Sequence, residues 1–157
     1  MAVAQTTDWG RIIRQAIIAG IVGGIFIDLF IYFVMIAPNH GTLVQLYQFA
    51  ASVAFGKNLA YSSPAFAWIG VAIHFIVSVC WAGGYAFLAA SRPYMNERWL
   101  ISGLVYGFVV MVFMVLLQLG AGIFQWPQPI GWAELVIANS LFFGVPVAFT
   151  VSRLDRA

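Results

Sequence analysis

Charge is what this sequence has least of. Asp, Glu, Lys and Arg make up 8% of its 157 residues, five acids against seven bases, where a soluble globular domain carries about a quarter. An ordinary water-soluble domain is excluded on that ground, and seven dispersed bases leave no footprint for nucleic acid. Cysteine is nearly absent too: Cys80 stands alone inside an apolar run, so no internal disulfide can form. At the N-terminus a short apolar core followed by a small-residue cleavage site is missing, and the first apolar run is expected to be a retained span. Neither a nucleophile elbow, a zinc signature nor a phosphate-binding glycine loop occurs, so the chain is not expected to be an enzyme. No low-complexity tract or internal repeat is evident.

Apolar residues supply 63% of the chain, and mean hydropathy is +0.96. Four stretches are long enough to cross a bilayer, which needs about 20 mostly apolar residues: 12–37, 65–90, 99–120 and 132–152. The expected architecture is an all-α four-helix transmembrane bundle forming a single domain, with no room for a second, soluble one. Ala37-Pro38 closes the first span, and Ser63-Pro64 opens the second with a cap and an early proline. Gly120 and Gly122 close the third. Trp126-Pro127-Gln128-Pro129 must separate the third from the fourth, because proline lacks the amide donor a helix requires. Pro146 is expected to bend or weaken the fourth.

Arg11, Arg14, Arg92, Arg98, Arg153 and Arg156 fall at one end of such a bundle and only Lys57 at the other. The positive-inside rule then puts both termini in the cytoplasm. Trp68, Trp126 and Trp132 would lie at the outer interface, Trp9 and Trp99 at the inner one. Within the outer connection, 42–55 is apolar but too short to span, and Gln45, Gln48 and Ser52 recur on one side of it. This pattern predicts an interfacial helix on the outer leaflet; a lid over the bundle and a re-entrant segment are the alternatives.

Ionisable and amide side chains are costly inside lipid, so those that occur there point to function. Asp28 and His74 both lie roughly 13 Å from the outer ends of their spans, and Asn139 lies at a similar depth in the fourth. Ala16, Gly20, Gly24 and Asp28 form one four-residue ridge; Gly70, His74, Ser78 and Ala82 form another. Small residues mark close helix contacts, so acid and imidazole are expected to meet, with Asn139 as a neutral partner and Tyr32 or Ser78 nearby. Gly103, Gly107 and Gly144 are expected to pack the third and fourth spans together. Two meanings of the polar centre stay open: a proton-responsive pair, or hydrogen bonds that only fix helix register. His40, His74, Met35, Met111, Met114 and Cys80 include soft ligands, but no pair has ligand spacing, so no metal or other cofactor is expected.

The run Ile69-Gly70-Val71-Ala72-Ile73-His74-Phe75-Ile76-Val77-Ser78, then Gly83-Gly84-Tyr85, the basic turn before Trp99, Ser102-Gly103-Leu104, the proline-containing loop up to Trp132, and Ala133-Glu134-Leu135 together resemble the YagU-like family of bacterial inner-membrane proteins. The resemblance covers about two-thirds of the chain and implies a four-helix inner-membrane protein. It also implies a second histidine in span four, where this chain carries Asn139. Two functions follow as expectations. One is a small accessory or interaction subunit docked in the bilayer onto a larger membrane complex. The other is a pH-responsive channel or small-solute transporter, assembled as a homo-oligomer and using Asp28 and His74.

Overall fold

A computed structural model describes residues 8–122 and 129–156. It is 88% helical, and no strand occurs among the described residues. Helix α1 (Trp9–Phe30) starts where the Asp8 side chain accepts the Arg11 amide at 3.0 Å, an N-cap that satisfies one free donor. It runs on through a π-helical turn, Ile31–Ile36, and a 3-10 turn, Ala37–Asn39. His40 ends the run at φ 56°. Helices α2 (Leu43–Phe55) and α3 (Lys57–Ala60) lead to α4 (Phe66–Ser91). The short α5 (Tyr94–Glu97) precedes α6 (Trp99–Gly120), which stops at Gly122 with φ 67°. The last span comprises α7 (Pro129–Ile137), a second π-helical segment, Ala138–Gly144, and α8 (Val145–Leu154). Of the expected break between the third and fourth spans, 126–128 lie outside the described residues.

Four helical runs are thus long and apolar enough to cross a membrane: Trp9–Asn39, Phe66–Ser91, Trp99–Gly120 and Gly131–Leu154. Their side chains are distributed inside out. On α1 the buried positions include Ala16, Ala19, Gly20, Gly23, Gly24 and Asp28, while Ile13, Ile17, Ile21, Ile25 and Leu29 stand exposed at four-residue intervals. Helix α6 does the same, hiding Gly103 and Gly107 and exposing Ile101, Val105, Phe108, Val112 and Leu116. Water would not tolerate continuous faces of that kind on a monomer. In lipid, where large apolar residues gain nothing by burial, small residues are the ones that belong inside.

The small residues work as the ridges predict, with one difference. A side chain at Gly20 would come within 2.5 Å of the Val79 backbone, and one at Gly24 within 2.9 Å of the Phe75 ring, so α1 lies directly on α4. Gly103, Gly107 and Gly144 likewise let α6 touch the backbone of the last span. Gly70 does something else: a side chain there would strike the Tyr47 carbonyl, so this glycine seats α2, not a membrane span.

Helix α2 packs its length against α4. Thr42 and Gln45 form its capping box, which accounts for Gln45. Gln48 and Ser52 face the bundle and are buried instead of forming a wet stripe. Both are satisfied there, Gln48 Nε2 donating to the Ser63 carbonyl at 3.1 Å and Ser52 Oγ to the Phe49 carbonyl at 2.7 Å.

Around the bundle, α1 contacts both α4 and the last span, and the last span contacts α6. Helix α6 makes no comparably close approach to α4 or α2. Aromatic side chains bridge that wider gap near the level of Tyr85: the Tyr106 hydroxyl donates to the Trp81 carbonyl, and the Tyr85 and Tyr106 rings meet edge-on at 5.2 Å. At the end carrying both termini, Asp155 accepts from Arg11 Nη1 at 2.9 Å and from Asn96 Nδ2 at 3.0 Å. This carboxylate ties the first span, the last span and the α5 turn together, and so places arginines of all three predicted basic segments at one end.

Candidate functional site

Asp28 and His74 meet as their ridges predict. Gly24, one turn before Asp28, lets α4 come close enough for His74 Nε2 to lie 3.2 Å from Asp28 Oδ1 and 3.4 Å from the Gly24 carbonyl. With a proton on Nε2, that N–H is shared between the two oxygens. The other carboxylate oxygen, Oδ2, accepts from the Tyr47 hydroxyl at 2.9 Å. Asp28 is buried and His74 is partly accessible. The centre is therefore a three-membered chain, His74–Asp28–Tyr47, drawn from α4, α1 and α2.

Tyr47 is the member that sequence reasoning missed. Its signal was indirect: one imidazole N–H satisfies only one carboxylate oxygen, and a buried carboxylate needs partners for both. Gly70, one turn before His74, supplies the notch that brings the Tyr47 backbone to the pair. Burial, together with the Asp28 charge and hydrogen bond, pushes the Tyr47 hydroxyl up to about 12, which keeps it a donor throughout the physiological range.

The chain of three forms part of the wall of a cavity of about 450 Å³ lying between α1, α2 and α4 on one side and α6 with the last span on the other. That volume suits a small molecule. Ser78, Gln118 and Asn139 add neutral polar groups to the lining, while Trp81, Phe49, Phe143, Met35, Met111 and Met114 supply much of its apolar surface. Asn139 reaches the same cavity but makes no direct bond to the pair: its Nδ2 donates to the Leu135 carbonyl of its own helix at 2.9 Å. Tyr32, expected nearby, does not line it and packs edge-on against Phe33.

Two π-helical segments border this cavity, and each ends two residues before a proline. Pro38 follows Ile31–Ile36, and Pro146 follows Ala138–Gly144. A proline inside a helix removes one amide donor and crowds the carbonyl four residues earlier; widening the preceding turn is a way to relieve both. Ile31, Met35 and Ile36 of the first widened segment, and Asn139 and Phe143 of the second, line the cavity. The interruption expected at Pro146, a bend or a weakening, is accompanied by a change of helical pitch upstream of it. Such segments recur at functional sites.

Among the described residues no third His, Cys, Asp or Glu joins Asp28 and His74 in a group that could hold a metal ion. Met35, Met111 and Met114 form cavity wall, Cys80 is exposed, and His40 sits at the end of the first span. Comparison with family models, with curated proteins and with solved structures finds no match to this chain.

Proposed function

We propose that this protein binds a small, largely apolar solute inside the membrane, with His74, Asp28 and Tyr47 as its polar anchor and proton-responsive element. The observation that carries this reading is the position of the triad. A pair serving only as interhelical glue has no need of a cavity large enough for a small molecule, whereas this triad forms part of the wall of one. The carboxylate–imidazole contact responds to protonation at either partner, because each charge stabilises the other. Solute occupancy and protonation are therefore coupled in this reading, as they would be in a small-solute transporter or gate. Six arginines at the end opposite Lys57 support a cytoplasmic location for both termini, which puts the cavity and α2 toward the outer leaflet.

An accessory subunit of a larger complex would need a surface set apart for a partner, and the exposed apolar faces are of the kind lipid covers. Native mass spectrometry of the protein released gently from its own membranes separates the two readings. Retention of a small-molecule mass by the wild type, and its loss in a Val77→Trp variant that fills the cavity, is the expected result. A bare chain mass in both, or one unchanged hetero-complex in both, would overturn the proposal.

A further inference from the structure

The electrostatics of the cavity wall narrow the chemistry of its occupant. Among the described residues, Asp28 alone of the carboxylates lines the cavity, and no Lys or Arg does. The titratable groups that face the centre are Asp28 from α1, His74 from α4 and Tyr47 from α2; α6 and the last span contribute only neutral side chains such as Gln118 and Asn139. Tyr47 is a neutral donor at any ordinary pH. With His74 neutral and Asp28 ionised, the wall carries one negative charge and nothing to balance it. With His74 protonated, the wall is neutral overall. In neither state is there a cation left over to receive an anionic ligand.

A positive ligand meets a different surface. Each Asp28 oxygen is engaged once, by His74 or by Tyr47, and a carboxylate oxygen has a second acceptor position. Trp81, Phe49 and Phe143 stand in the cavity lining, and aromatic rings attract organic cations. Met35, Met111 and Met114 offer polarisable, adaptable surface for an irregular apolar body. Removing a charged group from water requires a paired opposite charge, and in the protonated state of His74 the imidazolium is the charge that a bound cation would replace beside Asp28.

Resting on the solute-binding reading above, we infer that the cavity takes amphiphilic organic cations of the ammonium class, and that each bound cation replaces one proton released from His74. Charge balances in the exchange: one positive charge enters beside Asp28 and one leaves as a proton to solvent. No covalent bond other than the N–H of the imidazolium changes. The cavity then alternates between a proton-loaded and a cation-loaded state, both neutral at the wall.

An isosteric pair of probes tests this directly. Benzyltrimethylammonium and neopentylbenzene differ by a nitrogen for a carbon, so they share shape and differ in charge. Binding of each to the full chain in phosphatidylcholine nanodiscs is measured by calorimetry in weakly buffered solution, with proton release followed by an indicator. The wild type is expected to bind the cation about tenfold or more tightly than the neutral isostere. It is also expected to release up to one proton per cation, and to lose cation affinity as pH falls by as much as about tenfold per pH unit. Asp28→Asn should abolish the preference and leave neopentylbenzene binding in place, which shows that the variant's cavity is intact. Equal binding of both probes by the wild type would overturn the cation assignment while preserving a solute site. Binding of neither probe would overturn the cavity reading with it, and a preference that survives Asp28→Asn would remove Asp28 from the recognition.

Discussion

Tyr47 secures one oxygen of Asp28 and His74 the other, so the three residues stand or fall as a unit. Tyr47→Phe removes a hydrogen bond to a buried charged group, an interaction in the range of about 1.5–3 kcal/mol. Thermal unfolding in bilayers should show a loss within that range, concentrated in the docking of α2. The sign of the pH effect follows from the tyrosine. Its hydroxyl titrates at about 12 in the folded protein against 10.0 for the free side chain, so between those values the unfolded chain gives up a proton that the folded one keeps. Stability is intact below pH 10 and declines as pH rises through 12; hydrogen exchange of α2 amides should report this decline in the wild type and not in Tyr47→Phe. At this scale the sequence showed the pair but not the triad. Asp28 and His74 share a depth and lie on small-residue ridges, which is enough to bring them together. Tyr47 lies outside the spans, on a helix whose docking depends on a tertiary contact at Gly70, and no periodicity marks it.

Among the elements, α2 is the one whose role changed most between pattern and structure. Its Gln48 and Ser52 read as a wet stripe because polar residues at helical spacing usually face water, yet here they turn inward to reach the Ser63 and Phe49 carbonyls. Inside a bundle whose outer faces are apolar, the polar side of a helix is the side that belongs against the protein. Gly70→Ala tests that seat. The added methyl would meet the Tyr47 carbonyl, and backbone cannot move aside as a side-chain tip can, so about 1–3 kcal/mol of destabilisation is expected. The same variant should expose α2 to proteolysis and disturb the Asp28 contact. Overpacking that left α2 docking and the triad unchanged would contradict the assignment of Gly70 to α2. The four spans themselves were legible to within a few residues, since length and apolarity decide them. The π-helical segments were not: Pro38 and Pro146 announce an interruption, but whether a helix kinks, ends or widens there is decided by the carbonyls and neighbours around it.

For the molecule as a whole, the wider spacing between α6 and the α2–α4 side creates the cavity, and the Asp155 contacts hold the opposite end together. Arg11 and Asp155 are each partly exposed, and exposed pairs contribute only about 0–1 kcal/mol. Asp155→Ala also strips the buried Asn96 of its acceptor, so it should cost about 1–3 kcal/mol, of which only the Arg11 part shrinks in high salt, and should leave the triad as it is; thermal unfolding at two salt concentrations would show both. None of this spacing could be read from the chain, because small-residue ridges say which helices touch and not which stay apart. The central claim is that Asp28 and His74 form a proton-responsive pair on the wall of a solute cavity. Nitrogen spectra of protein labelled at histidine, in bilayers, test it most directly, since the sequence holds only two histidines and His40→Ala leaves His74 alone. The account predicts that the His74 Nε2 signal carries the mark of a hydrogen bond to Asp28, and that Asp28→Asn and a bound cavity ligand each shift it. A His74 signal unchanged by both would contradict it.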